Sequence, residues 1–287
     1  MICKLCPRKC AATRDYEKGE GFCGLKNRIK VARIAPHMWE EPVISGTKGS
    51  GAVFFSGCTM RCIYCQNYKI SENKLGKYID EKTLVSEFKK LEESGVHNIN
   101  LVSPTPYVHL IKKAFDIYKP NIPIVYNSSG YENVETIKSL KGYVDIYLPD
   151  FKYSNNETAY NYSNADNYVE TAKKAIAEMI NQTECNIYNE NGIMKSGVII
   201  RHLVLPSHTK NSIEVLDIIK EHFDNIPVSL MGQYTPVYKA ESHPKLGRKI
   251  TKREYKKVKN HMIELGLEGF IQQLSSADEN YIPDWNY

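Results

Sequence analysis

The sequence lacks the features that mark membrane and secreted proteins. None of its apolar runs approaches the roughly 20 residues that a membrane-spanning helix needs. Its first residues, Met-Ile-Cys-Lys-Leu-Cys, form no apolar core of a signal peptide. Basic residues are dense only in the stretch 245–259, for which a solvated helix face is favoured over a nucleic-acid or acidic-substrate surface. We therefore expect a cytoplasmic protein without membrane contact, and nucleic acid is a disfavoured partner.

The cysteines are unevenly distributed. Seven of the eight lie within the first 65 residues. Since cytoplasmic proteins rarely use cysteine for disulfides, this clustering favours metal binding.

The chain divides into two predicted regions. Residues 1–45 form a cysteine-rich extension, and residues 46–287 alternate between short apolar runs and amphipathic stretches. The predicted strands are rich in β-branched and aromatic residues and are bounded by turn residues. They are Ala52–Phe55, Ile99–Val102, Ile124–Asn127, Val144–Leu148, Val198–Leu205 and Val228–Met231.

Amphipathic helices are predicted between these strands. Asp80 is a predicted N-cap, and Thr251 and Glu254 have the spacing of a capping box. Strands that alternate with helices predict parallel βαβ units in an α/β fold. In such folds the chemistry lies at the carboxyl ends of the strands.

A C-x₃-C-x₂-C motif directly follows the first predicted strand, with Cys58, Cys62 and Cys65 as its thiols. Thiolates favour zinc and iron–sulfur clusters, and a structural zinc site needs four ligands whereas this loop offers three. A four-iron cluster on three cysteines keeps one iron open for a further ligand. Tyr64 precedes the last cysteine, where its ring can stack on a bound base. A zinc loop is the alternative.

The motif resembles the radical SAM superfamily, which uses C-x₃-C-x₂-C with an aromatic residue before the third cysteine. The resemblance implies a partial (βα)₆ barrel, a [4Fe–4S] cluster and S-adenosylmethionine (SAM) on the open iron. It also implies reductive cleavage of SAM to a 5′-deoxyadenosyl radical that abstracts hydrogen. Flavodoxin or ferredoxin is the implied electron donor.

The flanking segments His37–Gly46 and Cys65–Ser71, together with the N-terminal cysteines, are similar to one subgroup. Its members are named as pyruvate formate-lyase activating enzyme-like iron–sulfur proteins. Asp150-Phe-Lys152 resembles the Asp-x-Lys motif of the glycyl-radical activases, which implies catalytic roles for Asp150 and Lys152 and a contact of Lys152 with SAM. A buried Asp–Lys salt bridge is the alternative.

Further candidate cofactor contacts lie at the ends of other strands or, for Arg201 and His202, within the fifth strand. Asn127 and Ser128 are implied contacts of SAM, although the sequence Asn-Ser-Ser-Gly also suits a turn. The arginine fork suits a carboxylate, while a histidine within a strand can equally be a core residue. The other candidates are Arg201, His202, Gln233 and Tyr234.

One position departs from the superfamily pattern. Many members end the second strand with Gly-Gly-Glu, whose carboxylate binds the SAM amino group, whereas this chain has Ser103-Pro-Thr105. We expect the hydroxyls of Ser103 and Thr105, or backbone carbonyls, to replace it. His37, Glu40 and Glu41 precede the first strand, where they line the substrate entrance or supply a proton, or else form a surface charge pair.

Cys3, Cys6, Cys10 and Cys23 supply four thiols, enough for a closed metal site. A structural zinc site is the first interpretation, a second iron–sulfur cluster the next, and free thiols the third.

Three substrate hypotheses remain at this point. The first is a glycyl-radical enzyme, the second a small molecule or short peptide, and the third RNA. A non-catalytic zinc-binding module is the remote alternative.

Overall fold

The structure, a computed structural model, describes residues 2–274 and residue 285. Its strands are β1 (Ile29–His37), β2 (Ser50–Phe55), β3 (Lys77–Ile79), β4 (Ile99–Val102), β5 (Ile124–Ser128), β6 (Ile146–Pro149), β7 (Ile187–Tyr188), β8 (Met194–Val198), β9 (Ile200–Leu203), β10 (Val228–Met231) and β11 (Gly269–Ile271). Its α-helices are α1 (Pro42–Ser45), α2 (Tyr68–Ser71), α3 (Glu81–Glu93), α4 (Val108–Ile117), α5 (Val134–Lys138), α6 (Asn156–Ser163), α7 (Tyr168–Thr183), α8 (Thr209–Phe223) and α9 (Lys252–Glu264).

The strands form two sheets that meet at one point. The larger has the order β3-β1-β2-β4-β5-β6-β8-β7, and the smaller β11-β10-β9. The pairs from β2 to β8 are parallel, as are both pairs of the smaller sheet. An isolated parallel bridge between Asp150 and Arg201 joins β6 to β9. The parallel strands β2, β4, β5, β6, β9 and β10 thus follow one another as a partial barrel, which confirms the predicted fold class.

The predicted fifth strand, Val198–Leu205, differs from the structure. It is divided at Ile199, because β8 pairs with β6 while β9 pairs with β10. The chain changes its partner strand at this residue, where the Ile199 amide still donates to the Tyr147 carbonyl (3.0 Å).

Strand β1 was not among the predicted strands. It lies inside the cysteine-rich segment and pairs antiparallel with β2, with a register shift between Val31 and Arg33. The sheet therefore begins before residue 46, although the boundary between the two predicted regions remains a prediction.

The two predicted capping interactions are present at the starts of their helices. The Asp80 side chain accepts a hydrogen bond from the Thr83 amide (2.7 Å) at the start of α3. Thr251 and Glu254 form the complete capping box of α9. The apolar faces of these helices pack against the sheet and are buried.

The two faces of β2 separate the helix-packed core from the barrel interior. Val53 and Phe55 belong to the main core, whereas Ala52 and Phe54 point to the opposite face, as alternation along a strand requires. Phe54 lines the main cavity and makes an edge-to-face contact with Trp285 (5.3 Å between ring centroids). The cavity therefore lies on the interior face of the barrel.

Candidate active site

A cavity of about 260 Å³ lies at the carboxyl ends of the parallel barrel strands. Each of the six strands contributes a residue, either from the strand itself or from the loop that follows it. These residues are Cys58 after β2, Ser103 after β4, Asn127 and Ser128 in β5, Asp150 and Lys152 after β6, Arg201 in β9, and Gln233 after β10. The expected position of the chemistry in a parallel α/β fold is thus the position of the cavity.

Cys58, Cys62 and Cys65 lie together on one wall of this cavity. Ser163 Oγ donates a hydrogen bond to Cys62 Sγ (2.9 Å), and Ser71 Oγ lies 3.3 Å from Cys65 Sγ. The Met60 amide points at Cys58 Sγ (3.4 Å). Hydrogen-bond donors directed at sulfur stabilise thiolate ligands.

Burial controls the protonation of these thiols. Desolvation raises the pKa of Cys62 to about 12 and that of Cys65 to about 11, although the Lys152 cation lowers both in part. A bound metal overcomes this penalty, because a coordinating thiol is deprotonated outright. The donor set therefore fits a cluster held by three thiolates.

A charged network faces the thiols. Arg201 Nε donates to Asp150 Oδ1 (2.9 Å), Nη1 to Glu40 Oε2 (3.2 Å) and Nη2 to Asn127 Oδ1 (2.5 Å). Lys152 Nζ donates to Asp150 Oδ2. All four charged side chains are at most 15% exposed.

The pKa shifts in this network favour the ionised forms of Asp150 and Lys152. Burial alone would raise the pKa of Asp150, but the Lys152 and Arg201 cations outweigh it and hold the pKa below its ordinary value. Burial would lower the pKa of Lys152, yet the Asp150 carboxylate raises it overall. Burial raises the pKa of Glu40 in spite of Arg201. Lys152 thus remains a cation beside the thiols.

A family model for the radical SAM superfamily matches residues 52–217, more than half of the chain. The chain belongs to the radical SAM superfamily. The chain is also similar to two proteins of Methanocaldococcus jannaschii, both named as uncharacterized proteins. MJ0674 is 34% identical over 264 residues, covering 89% of this chain and 72% of the relative. MJ0808 is 26% identical over 261 residues, covering 84% and 70%.

A solved structure shows the same fold. The FeFe-hydrogenase maturase HydG from Carboxydothermus hydrogenoformans has a TM-score of 0.52 and 18% sequence identity, over 79% of this chain and 54% of that chain. At this identity the likeness concerns the fold alone.

Membership in the radical SAM superfamily implies a [4Fe–4S] cluster and SAM as cofactors. Tyr64 lines the cavity, and stacking of its ring on a bound base remains a prediction. Its hydroxyl lies 2.6 Å from the Tyr153 hydroxyl, which lies 2.5 Å from Ser163 Oγ. Desolvation raises the pKa of Tyr64 well above its ordinary value, so this hydroxyl stays protonated. A chain of hydroxyls therefore connects Tyr64 to Cys62 Sγ.

The structure keeps His202 apart from the cavity. It adjoins Arg201 in β9, and neighbouring residues of a strand point to opposite faces. The His202 ring is fully buried between the Phe151 carbonyl (2.7 Å) and Ser212 Oγ (2.9 Å). Desolvation lowers the pKa of His202 to about 4, so the ring is neutral. The alternative interpretation, a satisfied core histidine, describes this geometry.

Thr105 and Tyr234 also lie apart from the cavity lining. Thr105 begins a short 3₁₀ helix, Thr105–Tyr107, and its Oγ1 donates to Glu132 Oε1 (2.7 Å). The Tyr234 hydroxyl donates to the Leu246 carbonyl (2.8 Å). Ser103 does line the cavity, in a left-handed backbone conformation (φ +57°). Of the two residues expected to replace the missing carboxylate, the structure brings only Ser103 to the cavity.

The residues before β2 divide between cavity and interior. His37 and Glu40 line the cavity, and Glu40 Oε1 accepts from Asn100 Nδ2 (2.8 Å). Glu41 is buried, and its Oε2 has no hydrogen-bond partner within residues 2–274 or at residue 285. Glu40 is thus part of an interior network rather than of a surface charge pair.

Sequence reasoning missed Tyr153 and Ser163, which connect to Cys62. Ser163 ends α6, 101 positions after Cys62. No local motif marks such a residue, and only the packing of α6 against the thiol loop brings it there.

The four N-terminal thiols line a separate small cavity of about 20 Å³, beside Arg14 and Thr59. Arg14 Nη1 lies 3.7 Å from Cys3 Sγ. Within the described part of the chain, no three His, Cys, Asp or Glu side chains are already arranged to hold a metal ion. Metal binding by Cys3, Cys6, Cys10 and Cys23 remains a prediction.

No helix in the described ranges is long and apolar enough to cross a membrane.

Proposed function

We propose that this radical SAM protein activates a glycyl-radical enzyme by abstracting hydrogen from a glycine of that partner. The proposal rests on one observation: the Asp150–Lys152–Arg201 network faces Cys58, Cys62 and Cys65 across a single cavity. Asp150 and Lys152 are the residues that resemble the Asp-x-Lys motif of glycyl-radical activases.

Cys58, Cys62 and Cys65 would hold the cluster. When bound there, a [4Fe–4S] cluster supplies the electron that cleaves SAM to methionine and a 5′-deoxyadenosyl radical. Flavodoxin or ferredoxin is the proposed source of that electron.

Charged and polar side chains in the cavity match the polar ends of SAM. Lys152 remains a cation and lies close enough to Cys62 to influence its pKa, so it suits the SAM carboxylate. Asn127, Ser128, Ser103 and Gln233 line the same cavity and offer amide and hydroxyl groups for the ribose and adenine. Lys152 and Asp150 would therefore position SAM and the incoming glycine.

Apolar side chains complete the cavity. Phe54, Met60, Val102, Leu203 and Met231 contribute to its lining. Such walls reduce the access of water, which suits radical chemistry because side reactions are suppressed.

Electron paramagnetic resonance tests this proposal. The reconstituted protein, dithionite and SAM would be mixed anaerobically with each candidate glycyl-radical enzyme from the same genome. We expect a glycine-centred doublet with one candidate, and a strongly reduced doublet with Lys152→Ala. Asp116→Asn, an exposed change outside the cavity lining, is the control. If 5′-deoxyadenosine forms but no candidate gives a doublet, the proposal fails, and a small molecule or peptide becomes the substrate to seek.

A further inference from the structure

The cysteine-rich N-terminal segment makes direct contact with the cluster loop, here defined as residues 58–65. Arg8 makes the first part of this contact. Its Nε donates to the Thr59 carbonyl, and its Nη2 lies 3.5 Å from the Met60 carbonyl. The same Nη2 donates to the Asn164 carbonyl (2.5 Å), beyond the end of α6. One guanidinium therefore joins three parts of the chain.

An aromatic ring reinforces this contact. The Arg8 guanidinium carbon lies 3.5 Å from the ring centroid of Phe22, and that of Arg61 lies 4.3 Å from it. Arg61 belongs to the cluster loop, and its Nη2 donates to the Phe22 carbonyl. Two cations from different segments thus pack on one ring, an arrangement that cation–π attraction favours.

The cluster loop needs such external support. Thr59, Met60 and Arg61 separate Cys58 from Cys62 and lie outside helices and strands. Arg61 has a left-handed backbone (φ +67°), which persists only where surrounding contacts hold it. Arg8 supplies contacts to the two carbonyls before this residue.

We propose that Arg8 is a positioning residue for the cluster: its guanidinium binds the carbonyls of Thr59 and Met60 and thereby fixes the geometry between Cys58 and Cys62. This inference rests on the proposed assignment of Cys58, Cys62 and Cys65 as cluster ligands. Arginine suits the position because its planar fork donates to several carbonyls at once while stacking on a ring.

Arg8 lies next to both groups of thiols, those of the cluster loop and those of the N-terminal segment. Arg8 lies between Cys6 and Cys10 in the sequence and lines the small cavity together with all four N-terminal thiols. A metal bound by these thiols would restrain the backbone on both sides of Arg8. The cysteine-rich segment would then act on the chemistry through this side chain.

Variants of Arg8 test the inference without requiring turnover. Arg8→Ala and Arg8→Lys would be compared with wild type and with Arg28→Ala. Arg28 is a matched control, since it lies in the same segment and packs on Tyr16 and Tyr78 (4.2 and 4.7 Å to the ring centroids). The readouts are the rate of iron loss to a chelator and the electron paramagnetic resonance spectrum of the reduced cluster, with and without SAM.

We expect Arg8→Ala to lose iron faster than wild type, because removing a group that orients metal ligands typically lowers metal affinity about 10-fold to 100-fold. Its spectrum should shift, Arg8→Lys should fall between Arg8→Ala and wild type, and Arg28→Ala should match wild type. A wild-type spectrum and iron-loss rate in Arg8→Ala would overturn the inference. If circular dichroism shows that Arg8→Ala is misfolded, the test uses Arg8→Lys instead. An iron-loss rate and a spectrum of Arg8→Lys that both match wild type would then contradict the inference.

Failure of the underlying assignment has a different signature. If a Cys58/Cys62/Cys65→Ala variant retains the iron of wild type, the ligand assignment is wrong and the Arg8 inference falls with it. If wild type holds its cluster but produces no 5′-deoxyadenosine, the proposed function is wrong. The iron-loss rate and the spectrum without SAM then still test the positioning role of Arg8.

Discussion

Two buried cations share one carboxylate in the cavity. Asp150 accepts from Lys152 and Arg201, and Glu40 provides the second negative charge. Removing one member of a buried charge network leaves its partners desolvated and uncompensated. The network therefore contributes to stability as well as to the proposed binding of SAM.

Asp150→Asn should be strongly destabilising. We expect the free energy of unfolding to fall by about 3–5 kcal/mol, the usual effect of breaking a buried ion pair. Urea denaturation with Asp116→Asn as the exposed control measures it. A loss no larger than that of the control would show that the cavity is well hydrated and the charges are screened.

The buried Glu132 should make the free energy of unfolding depend on pH. It is 1% exposed, accepts from Thr105 Oγ1 (2.7 Å) and Tyr126 (3.3 Å), and burial raises its pKa from 4.5 to about 7. A carboxyl with a raised pKa binds more protons in the folded state, so its contribution to stability is lost as pH rises from about 4.5 to about 7.

Glu132→Gln should remove this component. We expect the wild type to lose on the order of 3 kcal/mol more than the variant across that pH window. Urea denaturation at a series of pH values measures the difference, with exposed Glu135→Gln as the control. Parallel pH profiles for wild type and Glu132→Gln would show that Glu132 titrates normally.

At the residue scale, the sequence predicts the motif residues that line the cavity but not all of the residues beside them. Cys58, Tyr64, Asp150, Lys152 and Arg201 all line it: Arg201 lies within β9, and the others lie in loops that follow β2 or β6. His202 does not, since one step along a strand reverses the side chain. Long-range contacts such as Ser163 with Cys62 depend on packing and leave no local pattern.

At the element scale, local sequence chemistry predicted two helix starts, and the alternation of strands with helices predicted the parallel strands. Strand β1 was missed because its pattern is irregular: Ile29 and Val31 are buried, and a register shift follows. The break at Ile199 was missed because it reflects a change of partner strand rather than a turn residue in the sequence.

A prediction at the element scale concerns metal binding by the cysteine-rich segment. A Cys3/Cys6/Cys10/Cys23→Ser variant should lose one zinc per chain relative to wild type, as expected for a site with four thiolate ligands. Metal analysis of anaerobically purified protein measures it, with Cys185→Ser, an exposed lone thiol, as the control. Loss of iron instead would identify a second cluster, and unchanged metal content would contradict a metal site.

At the scale of the whole molecule, the barrel brings distant segments to one cavity. The thiols follow the first parallel strand, Lys152 follows the fourth, and Arg201 lies in the fifth. The bridge between Asp150 and Arg201 links the two sheets at the point where the charged network lies. The architecture thus places a cation beside three thiols on the interior face of the barrel.

The most direct test of this account is the cleavage of SAM. The protein would be reconstituted anaerobically with iron and sulfide, reduced with dithionite and given SAM, and 5′-deoxyadenosine would be quantified by chromatography. We predict product from wild type and none from a Cys58/Cys62/Cys65→Ala variant. Equal product from both proteins, or none from a wild type that holds a four-iron cluster, would contradict the assignment of these thiols to SAM cleavage.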